Sequence, residues 1–277
     1  MPTPCDIGIV FALGAEQGCT EDLLTDLQFF EAAGMKIRSG KFRASDGREL
    51  SVVLVTSGVG RDNAARAAEA LIDGHKPEWI ISAGFCGGLV PQLARNDVVA
   101  ADAFTDRLEF SEALRKHLAA AGLVGSGVPA AKHVGLMATV ERIVAMSADK
   151  HALGAATGAL ACEMESSAVV EVCVRRNVPV LVLRAVSDPV GEDLPTDLEP
   201  LMKQKSAAGT FGAVVGALWR RPSSVKDMLR LQENALTTAD ALAKHLAAVI
   251  AKLPLARPRP TIIAPDAIPV ERTEETA

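Results

Sequence analysis

The sequence predicts an α/β fold with a sheet covered by helices on both faces. Short apolar runs of strand length alternate with segments of helical spacing. Several of those runs, such as 79–83 and 178–186, are hydrophobic at nearly every position rather than alternating, interrupted by Ser82 and Arg184, as strands buried on both sides are. Beyond residue 200 the pattern changes to apolar residues at helical intervals with charges between them.

Taken in order, residues 6–13 read as a first strand, with 36–43 and 50–56 as further strands. Residues 62–72 carry an Ala-rich helical pattern, and 79–83 form a strand closed by Gly84. A strand at 97–103, a helix at 111–121 and a Gly-containing loop at 122–129 come next. Residues 133–139 read as a strand, 145–155 as a helix, 165–176 as a buried helix and 178–186 as a β-branched strand. The extension 200–253 is helical, with Pro222 expected to separate two helices. Residues 256–277 contain four prolines and end in a largely charged and polar stretch, which predicts a mobile or extended tail. The resulting division is 1–199, 200–255 and 256–277.

Composition narrows the function classes. A chain of 277 residues, 49% hydrophobic, has enough apolar material for one large core. The net charge of −5 gives no support for nucleic-acid binding. No apolar run reaches membrane-spanning length, and residues 1–6 lack the basic-then-apolar pattern of a signal peptide, so a cytoplasmic protein is expected. Five scattered cysteines, odd in number and without a CxxC pair, read as reduced, mostly buried thiols. The five histidines show no metal-site spacing, and neither a metal nor a cofactor is expected.

The chemistry concentrates in four segments. Ile7 to Glu16 is a strand ending near a carboxylate. Thr56-Ser57-Gly58-Val59-Gly60-Arg61 is a glycine turn opening a helix. Ser82-Ala83-Gly84-Phe85-Cys86-Gly87-Gly88 is a strand and glycine-rich turn. Glu163-Met164-Glu165 precedes a helix, and Ser187-Asp188 ends the following strand. Ligands of α/β sheets collect at the carboxyl ends of strands. Carboxylates there suit a reaction that holds a sugar and protonates a leaving group. Read one at a time, Glu16 is a solvated residue at a loop start, and Asp188 caps a turn before Pro189. Glu165 is harder to treat so, because an unpaired carboxylate on an apolar helix is costly. Arg184, within a buried strand, calls for a structural ion-pair partner.

In this order the segments resemble the nucleoside phosphorylase and nucleosidase superfamily, and most closely the methylthioadenosine/S-adenosylhomocysteine nucleosidases, over about residues 6–190. The resemblance implies a three-layer α/β fold around a mixed, partly closed sheet, a homodimer or higher homo-oligomer, and release of a purine from ribose. It implies Glu16 as the base that activates water and Asp188 as proton donor to the purine, supported by Ser187. It implies Met164 and Glu165 on the ribose, Phe85, Cys86 and Gly87 flanking base and sugar, and Ile143 and Val144 against the base. Glu163 is carried with this binding set, although its own reading is that of a supporting residue.

Two departures from the family matter. Where the phosphorylase branch brings a serine and an arginine for phosphate, this chain has Phe85 and Ser82, which favours water over phosphate as nucleophile. The stretch between Asp102 and His133 is short, and the C-terminal extension resembles the hopanoid-associated phosphorylase-like branch, which points to a bulky 5′ group. The expected function is hydrolysis of a 5′-substituted adenosine, with phosphorolysis or a non-catalytic nucleoside-binding protein as alternatives. Membrane-surface contact through the C-terminal helices is a secondary reading, set against their mixed charge.

Overall fold

The computed structural model describes residues 4–32, 34–123, 133–194 and 224–256, with side chains of the last stretch from residue 232. The chain opens with β1 (Ile7–Phe11), α1 (Gly14–Glu21), β2 (Leu24–Ala32), β3 (Met35–Arg43), β4 (Glu49–Thr56) and α2 (Arg61–His75). It continues through β5 (Trp79–Gly88), β6 (Val98–Phe104), a 3₁₀ turn (Leu108–Phe110), α3 (Ser111–Ala120) and β7 (His133–Thr139). Then follow α4 (Ser147–Thr157), β8 (Ala161–Glu163), α5 (Ser166–Arg175), β9 (Val180–Asp188) and α6 (Ser224–Ile250).

The strands form one mixed sheet in the order β2-β3-β4-β1-β5-β8-β7-β6-β9, and β9 returns to pair with β5. The ring β5-β8-β7-β6-β9 is therefore closed, while β2, β3, β4 and β1 extend from it as an open wing. Closure depends on β5. Its first half pairs with β1, from Ile7↔Trp79 to Val10↔Ser82. Where β1 ends, β8 takes over the same edge antiparallel, at Gly87↔Cys162. Along its other edge β5 runs parallel to β9 from Ile80 to Cys86.

Two apolar layers cover the sheet. On one face α2 contributes Ala64, Ala67, Ala68 and Leu71, and α5 contributes Val169, Val170, Val172 and Cys173. Small side chains on α2 let that helix lie close to the strands. On the other face Ile7, Ile9, Phe11, Ile81, Ala83, Leu183 and Ala185 meet Leu242, Leu246, Val249 and Ile250 of α6. Helix α6 is pinned by side chain to backbone as well, since Trp79 Nε1 donates to the Pro254 carbonyl at 2.9 Å. The apolar residues of α6 from Leu242 to Ile250 are thus inside the core. No helix among the described residues is long and apolar enough to cross a membrane.

Three expectations need correction. Gly84 does not close its strand: β5 continues to Gly88, because β9 on one side and β8 on the other supply partners for its backbone. Residues 14–21 are a helix rather than a loop, so Glu16 lies in its first turn, 4% exposed rather than solvated. Strand β2 had no counterpart in the sequence reading, since most of its side chains are exposed and it lacks an apolar run. The domain boundary at 199, Pro222, most of the 122–129 loop and residues 257–277 lie outside the described residues.

Leu246 is fully buried where α6 meets the sheet. Leu246→Ala is expected to cost about 2–5 kcal/mol of unfolding free energy, read from urea denaturation. A loss below about 0.5 kcal/mol, typical of surface sites, would mean that α6 only rests on the surface.

Candidate active site

The site lies at the carboxyl ends of β1, β5 and β9 and is organised by Arg184. This side chain points from the middle of β9 into the layer beneath α2 and α5, and it is 1% exposed. Its Nη2 donates to Glu163 Oε2 at 2.8 Å and to Ser166 Oγ at 2.7 Å. Nε also reaches Ser166 Oγ, at 3.1 Å. Its Nη1 is buried with no hydrogen-bond partner among the described residues. A Cβ on Gly84 would overlap that nitrogen and come within 2.7 Å of Glu16 Oε1. Gly84 is therefore required by the guanidinium and carboxylate crossing its backbone, not by a turn.

Three carboxylates surround this cation. Glu163 is the structural partner that Arg184 called for. Besides the guanidinium, its Oε2 accepts the Glu165 and Ser166 amides at 3.0 and 2.7 Å, and its Oε1 accepts the Thr139 hydroxyl at 2.6 Å. It thereby caps the N-terminus of α5, where backbone N–H groups favour an anion. Both oxygens of Glu163 are thus held by protein donors.

Glu16 reaches across from α1. Its Oε2 accepts the Ala12 and Leu13 amides at 3.0 and 2.8 Å, and its Oε1 accepts the Phe85 amide at 2.9 Å. Burial pushes its pKa up, opposed by Arg184 and these amides. Glu165, at the entry to α5, accepts the Gly60 amide at 2.9 Å. That amide is aimed by the left-handed turn at the start of α2, where Gly58 and Gly60 have φ of 84° and 104°. Burial first, and the Glu163 carboxylate next, push Glu165 up to about 7. One cation thus faces three carboxylates in a water-poor setting, and two of them hold protons more tightly than usual.

Asp188 ends β9 beyond a one-residue register shift against β5, which sets it beside Gly87 whereas Arg184 lies beside Gly84. It is 4% exposed and salt-bridged to Lys150 of α4, with Nζ to Oδ2 at 2.6 Å. Ser187 Oγ donates to Asp188 Oδ1. A Cβ on Gly87 would sit 3.1 Å from Asp188 Oδ2, so the glycine leaves room for the carboxylate. Burial pushes Asp188 up, while Lys150 and the Ser187 hydroxyl oppose it.

The remaining predicted residues are placed less directly. Cys86 is buried on the Asp188 side, and its carbonyl accepts Ser187 Oγ at 3.3 Å. Phe85 gives its amide to Glu16, while its side chain packs against the layer under α6. Met164 is half-buried between β8 and α5. Ile143 and Val144 are half-buried in the segment entering α4, Val144 against the small cluster of Leu89, Ala138, Ala159 and Cys162. Lys150 was missed. In sequence it is one of several polar residues in an ordinary helix, and nothing local marks it as fully buried.

The fold and these charges define a class of α/β proteins that place acidic groups around a ligand at strand ends. The family comparison agrees: the Phosphorylase superfamily model matches residues 6–219, and the chain belongs to that superfamily. It is 29% identical over 216 residues to the 5′-methylthioadenosine/S-adenosylhomocysteine nucleosidase of Marinomonas sp. (strain MWYL1), covering 71% of this chain and 91% of that protein. The corresponding nucleosidase of Shewanella loihica is 28% identical over 218 residues, covering 70% of this chain and 90% of the relative. Among solved structures, the S-adenosylhomocysteine nucleosidase of Streptococcus pyogenes superposes with a TM-score of 0.65 at 21% identity, over 91% of this chain and 98% of that one. Futalosine hydrolase of Helicobacter pylori shares the fold with a TM-score of 0.63 at 19% identity, over 89% and 97%. The expected superfamily and the mixed α/β fold are both borne out.

Glu165 also links the site to stability. Folding raises its pKa from the ordinary 4.5 to about 7, so the native state binds the proton more tightly than the unfolded chain. Its stabilising contribution is full below 4.5 and is lost as pH rises through about 7. Glu165→Gln, which removes this ionisation, is expected to gain melting temperature relative to the wild type between pH 5 and pH 8. A difference independent of pH would show that Glu165 titrates normally.

Proposed function

We propose that the protein is a purine nucleosidase that hydrolyses the N-glycosidic bond of a 5′-substituted adenosine and releases adenine. The observation carrying this reading is the division of labour between two buried charge clusters at the strand ends. Arg184, Glu16 and Glu165 form one cluster, and Asp188 with Lys150 forms the other at the end of β9. Two such clusters suit a group with a sugar at one end and a base at the other. The names of three curated relatives, each a 5′-methylthioadenosine/S-adenosylhomocysteine nucleosidase, support the same reaction class.

In this reading Glu165 accepts hydrogen bonds from the ribose hydroxyls and faces the positive charge that develops on the sugar. Asp188 gives its proton to the purine as the C1′–N9 bond breaks and the electron pair leaves with the base. A water molecule attacks C1′, and Glu16 removes its proton. The unpartnered Nη1 of Arg184 beside Glu16 offers a donor to that water. The products are adenine and a free 1-hydroxy sugar. Met164 on the ribose, and Ile143, Val144 and Cys86 near the base, complete the proposed contacts. A homo-oligomer and a cytoplasmic location belong to the same reading through the family resemblance.

The test is a base-release assay with and without phosphate. Release of adenine is expected to be independent of phosphate, with the free sugar as product. Asp188→Asn should lower turnover at least about 10²-fold in folded protein. A sugar 1-phosphate as the main product would convert the assignment to a phosphorylase, and near-normal turnover in the folded variant would remove Asp188 from the mechanism.

The 5′ group is proposed to be long and apolar, as in an adenosyl-lipid. The described part of α6 does not provide a surface for it, because its stripe is in the core. The proposal therefore rests on the sequence of the extension and the short 102–133 stretch. The value of kcat/KM is expected to rise as the 5′ substituent lengthens from methylthio to long alkyl. A flat or falling series would return the protein to small nucleosides such as methylthioadenosine.

A further inference from the structure

Lys150 is the anomaly among the described charges: a lysine with no exposed surface, beside the carboxylate that the proposed reaction uses as its acid. Its three ammonium protons are all engaged. Nζ lies 2.6 Å from Asp188 Oδ2 and donates to the Glu192 carbonyl at 2.7 Å and the Pro189 carbonyl at 3.3 Å. Burying an ammonium is costly unless charge and hydrogen bonds compensate it, and here they do so completely. A purely structural contact between α4 and the 189–192 turn would be served as well by an apolar side chain, without that cost.

We propose that Lys150 is a positioning residue that sets the protonation of Asp188 and holds its carboxyl toward the base. This inference rests on the assignment of Asp188 as proton donor. Two opposed influences act on that carboxyl. Its burial favours the neutral acid, and the ammonium favours the carboxylate. Without Lys150 the acid would be too weak to release its proton readily to the leaving base. The other groups facing Asp188 do not replace the lysine. Arg95, from the β5–β6 connection, is bonded to the Ser187 carbonyl and paired with the Glu192 carboxylate. Cys86 on β5 and Cys162 on β8 remain neutral thiols because burial pushes both up, Cys162 to about 12.

The same lysine ties Asp188 to the segment of Ile143 and Val144. Leu194 donates its amide to the Ala145 carbonyl at 2.8 Å, and the Ser147 amide donates to Asp193 at 2.6 Å. Lys150 closes this zipper from the buried side. The acid and the proposed base-facing residues thus share one mechanical unit.

The test is the pH dependence of kcat/KM in three variants. Asp188 must be protonated to act, so its pKa appears as the alkaline limb. Lys150→Met and Lys150→Gln are expected to move that limb upward by a pH unit or more, while Lys150→Arg restores it. Lys150→Gln keeps a hydrogen-bond donor and removes only the charge, so an unmoved limb in folded Lys150→Gln overturns the proposal. If both neutral variants fail to fold, isotope-edited infrared spectroscopy of the wild type decides, with Asp188→Asn identifying the band. An Asp188 carboxyl band that titrates together with the alkaline limb of kcat/KM supports the role of the ammonium, and a carboxyl that stays protonated over the whole folded pH range overturns it. Loss of turnover in Asp188→Asn with an unmoved limb in Lys150→Gln defeats only the role of Lys150. Retained turnover in Asp188→Asn defeats the assignment of the acid itself.

Discussion

A guanidinium sealed beneath two helices is the constraint on which the rest of the structure depends. Arg184 has no exposed route to water, so every neighbour must answer its charge or its donors. Glu163 supplies the charge and spends its remaining acceptors on the start of α5. Ser166 supplies an acceptor, and Gly84 supplies space. Helix α5, strand β8 and the centre of β5 are thereby located relative to β9 by a single side chain. The unsatisfied Nη1 is the exception, and it faces the same region as Glu16. A donor left open among the described residues is costly in a purely structural network.

The closed part of the sheet performs a second task. Strand β1 stops short, and β8 uses the freed edge of β5. This handover lets α1 bring Glu16 in from one side and the β8–α5 corner bring Glu165 from the other. The two approach one point because their parent strands share one neighbour. An open sheet would hold them on edges free to move apart, whereas the ring couples their positions through backbone hydrogen bonds.

Much of this was legible in the sequence, and the losses have physical reasons. The nearly continuous apolar runs at 79–83 and 178–186 announced strands buried on both faces, as in a parallel-type interior. The helix at α5 and the carboxylate at its start were visible from spacing. Glycines were recognised but misread: Gly84 and Gly87 look like turn residues, whereas each yields volume to a charged group arriving from another element. Strand β2 was invisible because an exposed strand carries no periodic apolar signal. Glu16 looked solvated because its donors, the amides of Ala12, Leu13 and Phe85, belong to the backbone and leave no mark in side-chain identity. Lys150 was lost for a related reason, since carbonyls of Pro189 and Glu192 provide two of its three partners.

The thiols of Cys86 and Cys162 flank the acidic end of the site, and both are free and buried. Burial and the nearby carboxylates hold them far above the ordinary thiol range, Cys162 at about 12. The thiolate is the form that oxidants and electrophiles attack, so these two sulfurs are chemically silent at neutral pH. Burial beside the acid therefore keeps both sulfurs in the thiol form, the form that reacts slowly with oxidants and electrophiles.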